Sequence, residues 1–302
     1  MNAFDVALGF SIPERHARGR LVRIGPALSD VLANHDYPKQ ISAVLSEALV
    51  LAGLLGSLLK DDTGQLTLQT QNGTGAIDLM VADYKAGALR GYVRHDADKL
   101  AQMPVAPSLF GLFGEAYLAV TFDQAATRER YQGIVPLEGG SLGEAVEYYF
   151  RQSEQVPSVV RVVTGADPHG NPIAAGILLQ HLPEGEEGRE RLHVRQDEPD
   201  WLHVQTLAQT VRTDELLDPS LGLDALLWRL FGAEDEVRVS EPVHLTRGCR
   251  CDPDHIRDVL SRFPAAERAD MADADGVIGV DCAFCARTFP VPLQSLEAAS
   301  LH

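Results

Sequence analysis

The chain has 302 residues, of which 45% are hydrophobic, which is typical of two or three globular domains with buried cores. Its 43 acidic and 26 basic residues give a formal charge of -17, and this charge repels phosphate backbones and anionic lipid. We therefore expect neither nucleic acid nor a membrane as a partner.

The N-terminal third predicts elements of a globular core. Its first residues, MNAFDVALGF, lack the basic and apolar regions of a secretory signal, so we expect a cytoplasmic protein. A strand is predicted around residues 10–25 and a short helix at 26–34. The apolar run at 41–60 approaches the length of a membrane span, but Glu47, three serines and two glycines interrupt it. We interpret it as a buried helix with Pro38 in its first turn.

The next segments alternate between strand and turn signals. Residues 65–95 alternate apolar and polar positions around turn residues at 72–73 and 85–87, which predicts a three-stranded meander. Strands are predicted at 115–122, 130–137 and 158–165, a turn at 167–172, and a further apolar segment at 173–183. Ser141 and Glu144 form a capping box at the start of a helix. Residues 1–183 thus predict one N-terminal α+β domain, mainly of antiparallel sheet packed with helices.

A charged stretch at 184–200 marks a boundary, because it offers little to bury. Beyond it, apolar residues recur at helical spacing from Trp201 to Val211 and from Leu223 to Phe231. Isolated helices of this length are marginal, so these must dock on another element. We predict a helical linker at 184–240 and a small C-terminal domain at 241–302.

All four cysteines of the chain lie in that last segment, as a CxC pair, Cys249 and Cys251, and a CxxC pair, Cys282 and Cys285. Two such pairs about thirty residues apart can place four thiolates around one tetrahedral zinc ion. Chance clustering of four unrelated thiols is a poor explanation. His244 and His255 are competing ligands, but four sulfurs already complete the coordination.

The residues around the first pair favour thiolates. Asp252 and Pro253 predict an N-cap and first turn of a helix, and Arg247 and Arg250 add positive charge. A structural zinc site needs thiolates, but so does a peroxide sensor, and the spacing does not separate the two.

Three other motifs have simpler explanations. GGSLG at 139–143 matches the nucleophile elbow of serine hydrolases, with Ser141 as nucleophile, although helix capping already explains that serine. NGTG at 72–75 lacks the lysine of a phosphate loop and predicts a hairpin turn. The CxxC is not placed at the strand-to-helix junction of a thioredoxin-like dithiol.

Five segments in this order carry a family resemblance: LTLQTQNGTG, GALRGYVRH, YQGIVPLEGGSLGEAVEYYFRQSEQVPS, AAGILLQHLP and the CxC with CxxC pair. With them the chain resembles, nearly end to end, the 33-kDa heat-shock-protein family of redox-regulated holdase chaperones. The long central block and the cysteine spacing together make this resemblance specific.

The resemblance implies an ATP-independent chaperone that is not an enzyme and is inactive when reduced and zinc-bound. It implies one Zn²⁺ held by Cys249, Cys251, Cys282 and Cys285. Oxidants such as peroxide or hypochlorite would form the disulfides Cys249–Cys251 and Cys282–Cys285 and release the metal. The linker would then loosen, expose apolar surface to unfolding client proteins, and be accompanied by dimerisation.

The chain departs from the family pattern after its CxC. Members commonly continue with a serine and an acid-arginine pair, whereas this chain has Asp252-Pro253-Asp254-His255. The helix cap is kept, so the departure bears on the rate and threshold of oxidation. Two alternatives stay open, a purely structural zinc module that mediates contacts and a serine hydrolase that uses Ser141.

Overall fold

The computed structural model describes residues 4–71, 74–124, 129–167, 169–182 and 198–297. The chain divides into two compact units, Met1–Arg247 and Gly248–His302. The strands are β1 Val6–Ile12, β2 Ala17–Ile24, β3 Gln65–Gln71, β4 Ile77–Lys85, β5 Ala88–His95, β6 Tyr117–Gln124, β7 Glu129–Pro136, β8 Ser158–Ala166, β9 Pro172–His181, β10 Arg238–Val239, β11 Val243–His244, β12 Thr246–Arg247, β13 Val277–Asp281 and β14 Thr288–Pro292. The helices are α1 Pro26–Leu32, α2 Lys39–Gly56, α3 Ala97–Ala101, α4 Leu109–Phe113, α5 Leu142–Tyr149, α6 Pro199–Gln209, α7 Thr213–Leu217, α8 Leu223–Phe231, α9 Pro253–Ser261, α10 Ala265–Met271 and α11 Leu293–Glu297. The predicted α+β class with mainly antiparallel sheet is confirmed.

The first sheet runs in the order β10-β1-β2-β9-β8, with β11 also paired to β1, and every pairing is antiparallel. Both of its faces are covered. Alternate side chains belong to two different hydrophobic clusters, Val22 and Leu178 to one and Leu21 and Ile177 to the other. Because neighbouring residues of a strand point to opposite faces, this sheet lies between two layers of apolar side chains.

The prediction of one strand around residues 10–25 is wrong, because the chain reverses within it. A 3-10 turn at Pro13–Arg15 separates β1 from β2, and His16 adopts a left-handed φ of 46°. Pro13 has no N–H for a strand ladder and favours the start of a turn. The result is a hairpin in which Ile12 pairs with Ala17.

The second sheet runs in the order β12-β5-β4-β3-β6-β7, and β12 alone pairs in parallel. It contains the predicted meander, β3-β4-β5, and the two further predicted strands, β6 and β7. At the β4–β5 turn Ala86 and Gly87 both have positive φ, 48° and 79°, as a two-residue hairpin turn requires. The predicted turn at 72–73 lies outside the described residues.

Helix α2 forms the centre of the larger unit. Most of its side chains are buried and it contacts strands of both sheets, including β4 and β9. It is long and apolar enough to cross a membrane by length and composition alone, but 72% of it is buried inside the protein. The predicted core helix is therefore confirmed. Pro38 precedes the helix as its N-cap, with an extended ψ of 154°, and does not lie within the first turn.

Helices α6, α7 and α8 cover the other face of the first sheet, and we call this group, Pro199–Phe231, the helical layer. Its apolar side chains form one cluster with β1, β2, β8 and β9. The ring of Phe231 lies 5.5 Å from that of Phe10, and Trp201 stacks on His181 at 5.5 Å. Both predicted apolar stripes thus face inward. The division at 183 and 240 stays a prediction, and residues 183–197 lie outside the described part of the chain.

The smaller unit is a hairpin, β13–β14, combined with helices α9 to α11. Among its described residues the hydrophobic cluster has four buried members, which are Leu260, Ile278, Val291 and Leu296. A core of this size contributes little stability, and units this small commonly need a metal or disulfides.

Candidate metal centre

The first cysteine pair lies immediately before α9. The carboxylate of Asp252 accepts a hydrogen bond from the N–H of Asp254 at 2.9 Å, and Pro253 occupies the first turn. Both features agree with the sequence-based prediction. The cap fixes where the helix begins and so holds Cys251 next to its N-terminus.

The second pair lies in the loop that joins β13 to β14. The N–H of Cys282 donates to the carbonyl of Arg287 at 3.0 Å, and the N–H of Ala286 donates to the carbonyl of Cys282 at 2.8 Å. Ala286 has a positive φ of 52°, which tightens the loop. This loop directs the thiols of Cys282 and Cys285 to the same side.

The four Sγ atoms form one group, all within 4.8 Å of one another. Cys249 Sγ lies 2.9 Å from Cys251 Sγ and 3.6 Å from Cys282 Sγ, and Cys251 Sγ lies 3.5 Å from Cys285 Sγ. Metal–sulfur bonds of roughly 2.3 Å give a tetrahedron with edges of about 3.8 Å. The two longer distances approach that edge, so the group could hold a metal ion. A set of four sulfur donors is typical of zinc or of iron–sulfur sites.

Neither histidine considered from the sequence belongs to this group. Among the described residues the candidate ligands are the four cysteines alone. His255 is exposed on α9, while His244 lies in β11 of the larger unit, where it pairs with Val6.

The thiols differ in their ionisation. Burial alone would raise the pKa of Cys285, but hydrogen bonds from Arg287 and its neighbouring thiols lower it to about 6. Burial raises the pKa of Cys251, and hydrogen bonding to Cys249 adds to the rise. Burial raises the pKa of Cys249 as well. One thiol of the group is thus predisposed to be a thiolate even without a metal.

Arg287 is not among the residues predicted from the sequence. The predicted positive charge is that of Arg247 and Arg250, beside the first pair, and their influence on the thiols stays a prediction. The position of Arg287, two residues after Cys285, is the sequence signal that points to it. Its guanidinium also lies 5.7 Å from the centre of the Phe289 ring.

Ser141, the alternative nucleophile, acts as a helix cap. Its hydroxyl accepts a hydrogen bond from the N–H of Glu144 at 3.1 Å. The carboxylate of Glu144 accepts in turn from the N–H of Gly140 at 2.8 Å, one residue before the position that a capping box uses. The cap accounts for both residue types.

Comparison with known proteins decides the family. A family model described as Hsp33 protein matches residues 5–291. The chain belongs to the Hsp33 family. A 33 kDa chaperonin of Caulobacter vibrioides is 40% identical over 292 residues, which cover 94% of each chain. A 33 kDa chaperonin of Shigella boydii is 37% identical over 268 residues, which cover 89% of this chain and 85% of that protein.

The fold of the Hsp33 family is found here too. The crystal structure of a 33 kDa chaperonin from Thermotoga maritima matches with a TM-score of 0.78 at 23% identity, over 97% of each chain. The family resemblance expected from the sequence is therefore confirmed.

Proposed function

We propose that this member of the Hsp33 family is a redox-regulated, ATP-independent holdase chaperone and not an enzyme. Membership of a family whose relatives are named chaperonins supports the chaperone role. The proposal of redox regulation rests on one observation, the single group formed by Cys249, Cys251, Cys282 and Cys285.

In the reduced protein the four cysteines act as thiolate ligands of one Zn²⁺. A structural zinc ion supplies on the order of 10 kcal/mol to the folding of a small domain. Such a contribution is large beside what the four-residue cluster of the smaller unit supplies. The cysteines therefore hold the unit folded as long as they stay reduced.

Oxidation removes these ligands. Two thiolates lose two electrons to form one disulfide, and hydrogen peroxide takes up these electrons with two protons from the solvent to become two molecules of water. Cys249 forms a disulfide with Cys251, and Cys282 with Cys285, so the metal is released. Cys249 and Cys251 are neighbours in this group, with their sulfur atoms 2.9 Å apart.

Loss of the folded unit loosens the linker that precedes it. The helical layer consists of short helices that depend on docking against the first sheet, and their inward side chains are apolar. Its detachment exposes apolar surface on the layer and on the first sheet. This surface binds unfolding or oxidatively damaged proteins and prevents their aggregation. We place this activity in the cytoplasm, with formation of a homodimer on activation.

The decisive experiment measures metal content and suppression of light scattering from an aggregating client protein, with and without peroxide. We expect one zinc ion and no suppression in the reduced protein, and zinc release with suppression after oxidation. Treatment with dithiothreitol and zinc should restore the resting state. Suppression by the reduced, zinc-bound protein would overturn the proposal.

The same experiment tests the alternative of a structural zinc module. A zinc-binding dye records metal release as peroxide is increased. A structural site would keep its metal at oxidant levels that empty a sensor, and the protein would not become a holdase.

A further inference from the structure

Arg23 is a charged side chain that is completely buried under the helical layer. It lies on β2, and its exposed fraction is 0%. It points to the face of the first sheet that the helical layer covers, beside apolar side chains such as Leu21. Charged residues are almost never buried to this extent unless they are paired.

The partners of Arg23 are main-chain carbonyls. Its Nε donates to Leu216 at 2.7 Å, Nη1 to Leu221 at 2.7 Å and Nη2 to Glu215 at 3.0 Å. These carbonyls lie in the last turn of α7 and in the loop before α8, where helical carbonyls have no partner within the helix. Among the described residues no ion pair includes Arg23; burial lowers the pKa of its guanidinium, and the nearby charge of Asp218 acts in the opposite direction.

Detachment of the helical layer would leave this guanidinium exposed in an apolar surface. Its N–H groups would lose all three acceptors at once. An apolar ligand without acceptors would cover them at a cost, because buried donors without partners are unfavourable. A segment that offers unpaired carbonyls between apolar side chains can accept hydrogen bonds from the guanidinium and also cover the apolar surface around it.

We propose that Arg23 is a specificity-determining residue, which selects non-native polypeptide segments with unpaired main-chain carbonyls. The proposal rests on the proposed function, because the face becomes available only when the helical layer detaches. The end of α7 is the occupant of the resting state and shows the chemistry that fits. Native proteins pair nearly all of their buried carbonyls within secondary structure, so they offer few such segments.

The geometry favours arginine over lysine at this position. A guanidinium is planar and presents donors in a fixed fork, which here serves three carbonyls from two separate stretches of chain. An ammonium group has three donors on one atom and does not reproduce that spread. Arg23→Lys should therefore keep the charge and lose part of the selection.

The test uses the oxidised full-length protein and an end-blocked, uncharged, unstructured peptide of glycine, serine and leucine that carries a fluorophore. Arg23→Met is expected to weaken peptide binding by about tenfold or more, because hydrogen bonds to a charged group are lost. Arg23→Lys should show a smaller loss. Arg18→Met is the matched control, since Arg18 lies on β2 with its Nε bonded to Gln180, and it should bind within about twofold of the native protein.

A merely structural role gives a different result. In the reduced protein Arg23→Met weakens the docking of the helical layer under either hypothesis, so it lowers the oxidant needed for activation. If Arg23 recognises the peptide, Arg23→Met also weakens peptide binding after full oxidation, whereas a merely structural role leaves that binding unchanged. Equal affinity of oxidised Arg23→Met and native protein would overturn the inference alone. Absence of oxidant-dependent binding in the native protein would overturn the proposed function and the inference with it.

Discussion

Replacement of Phe231 by alanine tests whether packing of the helical layer sets the resting state. Phe231 is fully buried at the end of α8, and its ring contacts that of Phe10 on β1. Removal of a fully buried phenylalanine side chain costs about 3–5 kcal/mol, of which the aromatic pair accounts for about 1 kcal/mol. The cost falls on docking of the layer, because the two rings belong to the layer and to the sheet. A loss of 3 kcal/mol corresponds to an increase in opening of about a hundredfold.

Hydrogen exchange of the reduced protein measures this opening directly. Amides of residues 201–231 should exchange about a hundredfold faster in Phe231→Ala, and the variant should suppress client aggregation at lower oxidant. Trp228→Ala is the matched control, because Trp228 lies on the same helix and is 71% exposed. We expect it within about 0.5 kcal/mol of the native protein in urea unfolding. Equal exchange in the two variants would refute the reasoning.

Three further outcomes are expected. Cys249→Ser should lose bound zinc and reversible activation, measured as metal content and light scattering through a cycle of peroxide and dithiothreitol; a variant that still switches on and off would contradict this. Burial raises the pKa of Glu47, despite a hydrogen bond from the N–H of Gly143. The stability that this group contributes is therefore fully present only below its unfolded-state pKa of about 4.3, and it is lost as the pH rises through the folded-state pKa. Glu47→Gln should therefore melt at a higher temperature than the native protein at pH 8 and lose that advantage at pH 4, and an equal difference at both pH values would argue against it. Ser141→Ala should cost about 1 kcal/mol in urea unfolding through loss of the bond from Glu144, with chaperone activity intact. If fluorophosphonate labels the native protein and does not label Ser141→Ala, the result would instead support the hydrolase alternative.

Local signals in the sequence were sufficient where neighbours along the chain determine the structure. The spacing of the four cysteines, the cap at Asp252 and the turn at 85–87 each depend on a few adjacent residues, and each is found as predicted. The apolar stripes of α6 and α8 were likewise predicted from helical spacing, because a docked helix needs one apolar face.

The missed features depend on distant parts of the chain. The turn at 13–16 carries no Asn-Gly or Asp-Gly signal; Pro13 is its local signal, and the two strands that it joins are covered on both faces by distant parts of the chain. No local signal distinguishes Arg23 from an exposed arginine, since its partners, Leu216 and Leu221, lie almost two hundred residues away. The short strands β10 to β12 have only two residues each and owe their existence to sheets already in place.

The strands that flank the helical layer along the chain also bear on how the protein recovers. β9 precedes the layer, β10 and β11 follow it, and all three belong to the first sheet. A layer that detaches therefore stays tethered at both ends to the surface it has left. Its return is an intramolecular reaction at a high effective concentration, so its rate should not depend on how much protein is present. Under the proposed function, a bound client would compete with a segment that is never diluted.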